Sequence, residues 1–343
     1  MSSSFSSHIP LFLKQLNEVD VDAISKDEYV KKYLQHLINH GHYFVTIYSK
    51  VLEKGVANAQ KKVAEIQLLD YGAGVGLLGI FASYCGVKKV SINEMDPGFL
   101  AAAAKLSDHF NRKEIVFIPC SLASDFDSAL WGKPDLLVAT DVIEHIYNLD
   151  DFVSCCVSMN RNMSMVFTTG SNPANAWKVS SLRKLQWRDE WQGNAEDNED
   201  VLAGYGHEAY RSMRKKIIQT FAPSLSEKEI ENLVDKTRGL TKKDIHDAVS
   251  QYVKYGHLQK TTDDSYNTCN PETGSWTERI LSFEAYDLIF NKHHQSVRFE
   301  SGFYNTDKKW LKKAIALFAN ILLPIFGKRI APFIFIETKN IHK

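Results

Sequence analysis

An acidic residue followed by a glycine-rich turn limits the folds open to this chain, and it lies in the segment Leu68-Leu69-Asp70-Tyr71-Gly72-Ala73-Gly74-Val75-Gly76. The apolar run over residues 64–71 predicts a buried parallel strand, and the pattern over 75–86 predicts the helix behind it. Glycines in the turn let the backbone bend sharply and let a ligand approach without interference from a Cβ atom. A nicotinamide dinucleotide motif would place a further small residue at position 77, where this chain has Leu77. The segment therefore predicts a ligand-binding turn and disfavours a nicotinamide cofactor.

A second acidic residue follows the next predicted strand. The strand over residues 88–94 ends at Glu94, 18 residues after Gly76, and Met95 comes next. A carboxylate at the carboxyl end of the second strand can accept hydrogen bonds from both hydroxyls of a ribose. Glu94 is therefore predicted to bind the ribose of a nucleoside-containing ligand.

Strands and helices continue to alternate along the chain. Helices are predicted over 97–110 and 149–159, and strands over 115–119, 135–141 and 163–168. This alternation predicts a parallel sheet with helices on both faces. Ligands bind such sheets at the carboxyl ends of the strands, and Asp141-Val142-Ile143-Glu144-His145 follows the fourth strand at that edge.

Together, the glycine-rich turn, Glu94 and the segment from Asp141 to His145 resemble the class I S-adenosylmethionine-dependent methyltransferases. The resemblance covers residues 60–170 and resumes over 295–338. It implies an α/β fold with a Rossmann-like seven-stranded sheet. Helical spacing of apolar residues outside the resemblance adds N-terminal helices and a largely helical insertion before the last two strands. The predicted domains are an N-terminal helical cap (1–60), a cofactor-binding core (61–171), an insertion that forms the acceptor pocket (172–294), and strands and a helix that complete the core (295–343).

The resemblance also implies the residues that bind S-adenosylmethionine. Asp70, Gly72 and Gly74 would line its methionine part, although Asp70 could instead only order the turn. Glu94 would hold the ribose and Met95 would pack on the adenine. The full set of predicted cofactor contacts is Asp70, Gly72, Gly74, Gly76, Glu94, Met95, Ser121, Leu122 and Asp141.

Glu144 and His145 are the predicted catalytic residues. The resemblance extends to methyltransferases that act on hydroxyls, among them the ubiquinone-pathway and small-RNA 2′-O-methyltransferases, which have Glu-x-x-Glu-His at this place and bind a divalent metal there. It implies a site for Mg²⁺, Mn²⁺ or Zn²⁺ formed by Glu144 and His145, with Asp141 in place of the first glutamate of that motif. A metal needs one more ligand, and the sequence offers His207 in the predicted insertion. Two alternatives stay open: His145 as a base without a metal, or residues that only line the pocket.

The composition limits which binding partners and which cellular compartment are expected. The 41 basic and 41 acidic residues balance, so nucleic acid is not an expected partner. Five cysteines without a CxxC pair predict a reduced, cytoplasmic environment. The first residues lack the basic start and long apolar run of a signal peptide.

Two later segments allow two interpretations each. The apolar run over 314–326, preceded by lysines, could rest weakly on a membrane surface, but a helix packed in the core is the prediction. The run is too short to span a bilayer and contains Asn320 and Pro324. The turn-rich segment over 267–279 could close over a substrate or be a surface turn anchored by Trp276.

The predicted function is methyl transfer from S-adenosylmethionine to a hydroxyl of a small molecule or glycan. N- or C-methylation is the alternative reaction, because an amine or a stabilised carbanion needs no strong base. A catalytically inactive scaffold that binds the cofactor is the alternative outside enzymes. The sequence predicts no oligomeric state.

Overall fold

A computed structural model describes residues 5–122, 125–194, 206–258, 266–307 and 310–341. The acidic residues over 196–200 and the glycine and tyrosine at 204–205, which the sequence placed near His207, lie outside the described residues. Lys308 and Lys309 lie outside them as well.

The centre of the fold is a seven-stranded sheet with the order β3-β2-β1-β4-β5-β7-β6. Strands β1 to β5 pair in parallel, β7 runs antiparallel to β5, and β6 runs antiparallel to β7. The predicted α/β sheet is confirmed. Its strands are β1 (Gln67–Tyr71), β2 (Lys89–Asn93), β3 (Val116–Ile118), β4 (Leu136–Thr140), β5 (Ser164–Thr169), β6 (Gln295–Ser301) and β7 (Ile334–Asn340).

Helices precede the sheet, connect its strands and build the insertion. Those before and within the first half of the sheet are α1 (Ile9–Leu16), α2 (Val21–Ile24), α3 (Glu28–Asn39), α4 (Gly41–Ala59), α5 (Leu77–Tyr84), α6 (Pro97–His109), α7 (Ser128–Trp131) and α8 (Leu149–Met159). Those that follow β5 are α9 (Ala176–Trp191), α10 (Tyr210–Phe221), α11 (Glu227–Lys236), α12 (Lys242–Tyr255), α13 (Phe283–Lys292) and α14 (Trp310–Phe326).

The chain divides into two compact units. Unit 1 comprises Met1–Ile143, Asn148–Asn172 and Ser282–Lys343, and unit 2 comprises Glu144–Tyr147 and Pro173–Leu281. Unit 1 therefore contains the sheet and α13, which the sequence analysis had assigned to the insertion. Unit 2 includes the short segment Glu144–Tyr147, which contains the predicted catalytic residues.

The N-terminal helices of unit 1 pack into the same apolar core as the sheet. Phe12 of α1 is fully buried and stacks on Phe110, with 4.5 Å between the ring centroids. It also meets Phe81 of α5 edge to face at 4.9 Å. Burial of such aromatic rings contributes about 1.5–3 kcal/mol each, so these helices are part of the folded core.

Unit 2 has its own apolar core, formed by α10, α11 and α12 around Ile218, Leu233 and Val249. A capping box formed by Ser226 and Glu229 begins α11. Beside this core, the guanidinium of Arg214 donates to both carboxylate oxygens of Glu190, and both side chains are buried. Buried charges are tolerated only when paired in this way. The insertion is therefore a folded unit.

The prediction that the apolar run after residue 313 packs in the core is wrong. Within α14, Ala316 is the only buried residue. The helix has apolar side chains on most of its sides, so the sequence periodicity does not show which side packs against the rest of the protein. The helical segment also runs further than the sequence suggested: it covers the 20 residues Trp310–Arg329, and an 18-residue window within it has a mean hydropathy of 1.4, enough to cross a membrane by length and composition alone.

Candidate functional site

The glycine-rich turn connects β1 to α5 in unit 1, as predicted. Gly72 and Gly74 have φ angles of +64° and +54°, in the left-handed region that residues with a Cβ atom rarely adopt. The carboxylate of Asp70 accepts a hydrogen bond of 2.8 Å from the backbone N–H of Gly79 in α5. Asp70 thus links the strand to the first turns of the helix, which is the structural role that the sequence left open for it.

Burial sets the acidity of Asp70. The side chain is 2% exposed, and this burial raises the pKa of Asp70 to about 7, with a further contribution from Glu94, against the lowering effect of the Gly79 N–H. Between pH 4 and 7 the folded protein therefore keeps a proton that the unfolded chain has lost.

This raised pKa predicts a loss of stability as the pH rises from about 4 to 7, with no further loss above 7. In Asp70→Asn, whose amide oxygen can still accept from Gly79, that loss should disappear. We expect the free energy of unfolding in urea to fall between pH 5 and pH 8 by about 2–3 kcal/mol more in the wild type than in the variant. Parallel stability curves for the two proteins would contradict this assignment.

Glu94 lies beside the glycine-rich turn. One carboxylate oxygen accepts a hydrogen bond of 2.8 Å from the N–H of Gly74, and the other accepts one of 3.0 Å from the N–H of Asp96. Asp96 in turn accepts from Gly98 and Phe99 and caps α6. The carboxylate predicted to hold a ribose is therefore fixed at the carboxyl end of β2 and next to the turn.

Asn93 is a site residue that the sequence analysis missed. Its side chain is 1% exposed and donates to the carbonyl oxygens of Ile118 and Cys120, after β3. Its backbone carbonyl accepts from Ala73 in the turn at 2.9 Å. The signal for it was an amide side chain at the last residue of β2, directly before Glu94. Asn93 holds three neighbouring strand ends together.

Tyr33 of α3 is a second residue that was missed. A Cβ atom added at Gly74 would lie 3.3 Å from Cε1 of the Tyr33 ring. Burial, assisted by the negative charges of Asp141, Glu94 and Asp70, raises the pKa of the Tyr33 hydroxyl. The N-terminal helices therefore bring an un-ionised phenol to the edge of the turn.

The other predicted cofactor contacts lie at the same edge of the sheet. Met95 is exposed, with 63% of its surface accessible, whereas Leu122 is fully buried. The backbone N–H of Ser121 donates to Asp125 at 3.3 Å. An exposed thioether next to Glu94 suits the predicted contact with adenine, while the buried side chain of Leu122 leaves only its backbone for such a contact.

Asp141 has a strained backbone at the end of β4. Its φ angle is +55°, and its N–H donates to the carbonyl of Thr168 at 3.0 Å. A residue other than glycine in this region costs of the order of 1–3 kcal/mol, and such strain concentrates at functional sites. Asp141 also contributes to the raised pKa of Tyr43 in α4, which arises first from burial. Its carboxylate is therefore near the ring of Tyr43.

His145 is oriented by a residue far away in the sequence. Its Nδ1 lies 2.8 Å from the carbonyl oxygen of Trp276, and its Nε2 lies 3.9 Å from a carboxylate oxygen of Glu278. A carbonyl only accepts hydrogen bonds, so Nδ1 carries the proton and Nε2 of the neutral ring has a lone pair. Nε2 is therefore the nitrogen of the neutral ring that can accept a proton.

Trp276 ties the segment of unit 2 that follows β4 to the turn-rich segment at 267–279. Its indole N–H donates to the carbonyl of Tyr147 at 3.1 Å, and the two rings stack with centroids 5.9 Å apart. The N–H of Arg279 donates to the carbonyl of Glu144 at 3.1 Å, and the side chain of Glu144 is buried. Trp276 therefore anchors this segment, and the burial of Glu144 favours a structural role over direct catalysis.

The predicted metal site finds no support in the structure. Among the described residues, no group of three or more His, Cys, Asp or Glu side chains is placed to hold a metal ion. His207 has Nε2 3.7 Å from Asp189 and Nδ1 3.0 Å from its neighbouring carbonyl at Glu208. Burial lowers the pKa of His207, but Asp189 outweighs this effect and raises it overall. The proposed ligands Asp141, Glu144, His145 and His207 thus do not form a recognisable metal centre.

Unit 2 also has an open cleft of about 790 Å³ along one side of α9. The guanidinium of Arg183 lies over the ring of Tyr266, 4.3 Å from its centroid. The described lining combines aromatic rings with cationic groups and includes no acidic side chain: Trp187, Trp191, Tyr266, Arg183, Lys184 and Arg238.

Comparisons with known proteins agree with the resemblance seen in the sequence. No family model matches the chain. A stretch of 124 residues is 29% identical to the mitochondrial ubiquinone biosynthesis O-methyltransferase of Homo sapiens, covering 35% of this chain and 33% of that protein. The Mus musculus protein of the same name is 29% identical over 113 residues, covering 33% of this chain and 30% of that protein. The match thus spans about a third of the length of these curated relatives.

Two solved structures with low sequence identity are also similar. One is a putative S-adenosylmethionine dependent methyltransferase from Listeria monocytogenes, with 10% identity, a TM-score of 0.41 and coverage of 84% of this chain and 99% of that one. The other is the methyltransferase domain of bacterial CtHen1-C, with 13% identity, a TM-score of 0.40 and coverage of 86% and 96%.

The sheet order and the glycine-rich turn of unit 1 are those expected for a class I S-adenosylmethionine-dependent methyltransferase, and the curated relatives are methyltransferases. The predicted fold class and the predicted resemblance are therefore confirmed.

Proposed function

We propose that this protein is an enzyme that transfers a methyl group from S-adenosylmethionine to a hydroxyl oxygen of a small molecule or glycan, with His145 as the base. The observation that carries the choice of oxygen is the orientation of the His145 ring by the Trp276 carbonyl. The methyl carbon of S-adenosylmethionine is already activated by the positively charged sulfur. An oxygen acceptor therefore needs the protein to remove its proton.

The residues around the turn suit the donor. Gly74 leaves room that a Cβ atom would fill against Tyr33, and Glu94 places a carboxylate at the N–H of Gly74. The turn would hold the methionine part and Glu94 the ribose. When bound, S-adenosylmethionine supplies a methyl carbon on a positively charged sulfur. The acidic residues at this edge favour that positive charge.

His145 can accept a proton at Nε2. The carboxylate of Glu278 lies 3.9 Å from that nitrogen. The Trp276 carbonyl keeps the ring in one tautomer, the role that a carboxylate has in many catalytic triads. These contacts support a general base that works without a metal.

The cleft along α9 supports a role of the insertion in choosing the acceptor. Aromatic rings bind the flat or apolar part of a ligand, and arginines bind carboxylates or phosphates. We therefore propose that the acceptor, or the molecule that carries it, has an anionic group. The five free thiols support our proposal that the protein works in the reducing cytoplasm.

The donor assignment is tested by calorimetric titration with S-adenosylmethionine and, separately, with NAD. We expect binding of the first and none of the second. Glu94→Ala should weaken the binding of S-adenosylmethionine by about 1–3 kcal/mol, because hydrogen bonds to a charged group are lost.

Glu284→Ala is the matched control, because Glu284 is an exposed glutamate of α13. Its affinity for S-adenosylmethionine should equal that of the wild type. Equal affinities for Glu94→Ala and the wild type would remove Glu94 from the ribose site, and a preference for NAD would overturn the proposed function.

A further inference from the structure

Helix α14 exposes an unusual amount of apolar surface. Trp310, Ile321 and Ile325 are 80%, 69% and 73% exposed. Soluble monomers rarely expose a continuous apolar patch of this kind, and those that exist mark contact surfaces. The exposed large side chains of the helix, which we name the α14 face, are Trp310, Leu311, Ile315, Leu317, Phe318, Ile321, Ile325 and Phe326.

The other side of α14 is fixed to unit 1. Ala316 is buried, and the side-chain amide of Asn320 exchanges two hydrogen bonds with the backbone of Tyr304, at 2.7 and 3.1 Å. At 100° per residue, Phe318 and Ile325 lie opposite Ala316 on the helix. The α14 face is therefore turned away from the protein by specific contacts.

Basic residues surround the α14 face. Between Asp307 and Glu337 the sequence contains no acidic residue and six basic ones: Lys308, Lys309, Lys312, Lys313, Lys328 and Arg329. Lys312, Lys313 and Arg329 are exposed in the structure. This segment is strongly positive although the whole chain is neutral. Apolar side chains flanked by lysines and a tryptophan suit the interface of a membrane with anionic headgroups.

The connections of α14 decide between lying on a membrane and crossing it. The helix joins β6 to β7, and Ser301 at the end of β6 pairs with Ile334 at the start of β7. Both ends of α14 thus connect to neighbouring strands at the same end of the sheet. In the middle of the helix, Asn320 is hydrogen-bonded to the backbone of Tyr304. A helix of this length is only about 25 Å long, and its centre cannot reach the middle of a bilayer while these contacts persist.

We propose that the α14 face docks this protein on the surface of anionic membranes, with the helix lying in the plane of the interface. The apolar side chains enter the boundary between headgroups and acyl chains, and the lysines reach the lipid phosphates. Docking is independent of the proposed methyl transfer, since none of the residues involved belongs to the candidate functional site.

Flotation of the whole protein with lipid vesicles tests this proposal. We expect binding to vesicles of phosphatidylcholine with phosphatidylserine, much weaker binding to phosphatidylcholine alone, and loss of binding at high salt. Ile321→Glu should weaken binding about tenfold or more, and so should the double variant Lys312→Glu/Lys313→Glu.

Leu288→Glu is the matched control, because Leu288 of α13 is 74% exposed but lies outside the α14 face. It should bind vesicles as the wild type does. Thermal unfolding followed by circular dichroism should show an unchanged midpoint for Ile321→Glu, since its side chain is in solvent.

Three results would overturn the proposal. One is equal binding of the wild type and Ile321→Glu to anionic vesicles. Another is salt-independent binding to neutral vesicles that only detergent reverses, which indicates a helix that spans the bilayer. The third is a dimer in light scattering that Ile321→Glu dissociates, without vesicle binding, which would assign the α14 face to a second copy of the chain.

Discussion

Replacing His145 by alanine should lower the rate of methyl transfer by about 10²–10⁴-fold, the usual contribution of a positioned general base. The reason is that Nε2, whose lone pair is set by the 2.8 Å contact of Nδ1 with Trp276, is the group proposed to take the acceptor's proton. The measurement is transfer of labelled methyl from S-adenosylmethionine to a panel of hydroxylated and amine acceptors. Affinity for S-adenosylmethionine should stay unchanged.

Two controls separate the possible roles of His145. His293→Ala removes a histidine that pairs with a carboxylate, Asp150 at 2.7 Å, outside the candidate site, and it should keep full activity. A chelator should have no effect if His145 acts alone, whereas parallel loss of activity and bound metal in His145→Ala would restore the metal hypothesis. Unchanged turnover of an amine acceptor by His145→Ala would favour N-methylation.

Gly74→Val should abolish detectable binding of S-adenosylmethionine. A Cβ atom at this position would lie 3.3 Å from Cε1 of Tyr33, and the φ angle of +54° is one that a branched residue does not readily adopt. The valine would therefore occupy the room at the turn and shift its backbone. Calorimetric titration measures the loss, and circular dichroism shows whether the fold remains.

Gly86→Val is the matched control. Gly86 also has a positive φ angle, of +88°, but a Cβ atom there would meet nothing within 4 Å. The two variants share the backbone strain, while only Gly74→Val changes the turn. Loss of binding in both would attribute the effect to general strain, and normal binding in Gly74→Val would show that the turn does not hold the cofactor.

Local patterns predicted most of the sheet and the donor side of the site. A glycine-rich turn after an apolar strand is a local feature, because its residues are consecutive in the sequence. Glu94 ends the neighbouring strand, and parallel pairing of β1 with β2 brings it to the turn. Such features depend on backbone geometry and strand order, which the alternation of strands and helices already specifies.

Contacts between residues far apart in sequence could not be predicted in this way. Trp276 is 131 residues from His145, and no spacing rule connects them. Tyr33 lies in α3, and its ring is beside Gly74 in the turn after β1. The position of such a side chain depends on how the elements pack, which periodicity does not show.

The error over α14 has a similar origin. Its residues are as apolar as those of a buried helix, with a mean hydropathy of 1.4 over an 18-residue window of Trp310–Arg329. Apolar composition shows that a surface avoids water, but it does not show whether protein or lipid covers that surface. The flanking lysines support the proposed membrane surface, because basic residues beside an apolar helix face suit anionic headgroups.

Four consecutive residues, Glu144–Tyr147, group with unit 2 although the chain before them, through β4 to Ile143, belongs to unit 1. The proposed base is therefore encoded next to the cofactor-binding strands but held in place by Trp276 of the insertion. A variant with another insertion in place of residues 173–281 would keep His145. It would lose the Trp276 carbonyl that fixes the tautomer of His145. Grafting a foreign insertion onto this core should thus produce a protein that binds its donor but is a poor catalyst until a new partner for His145 evolves.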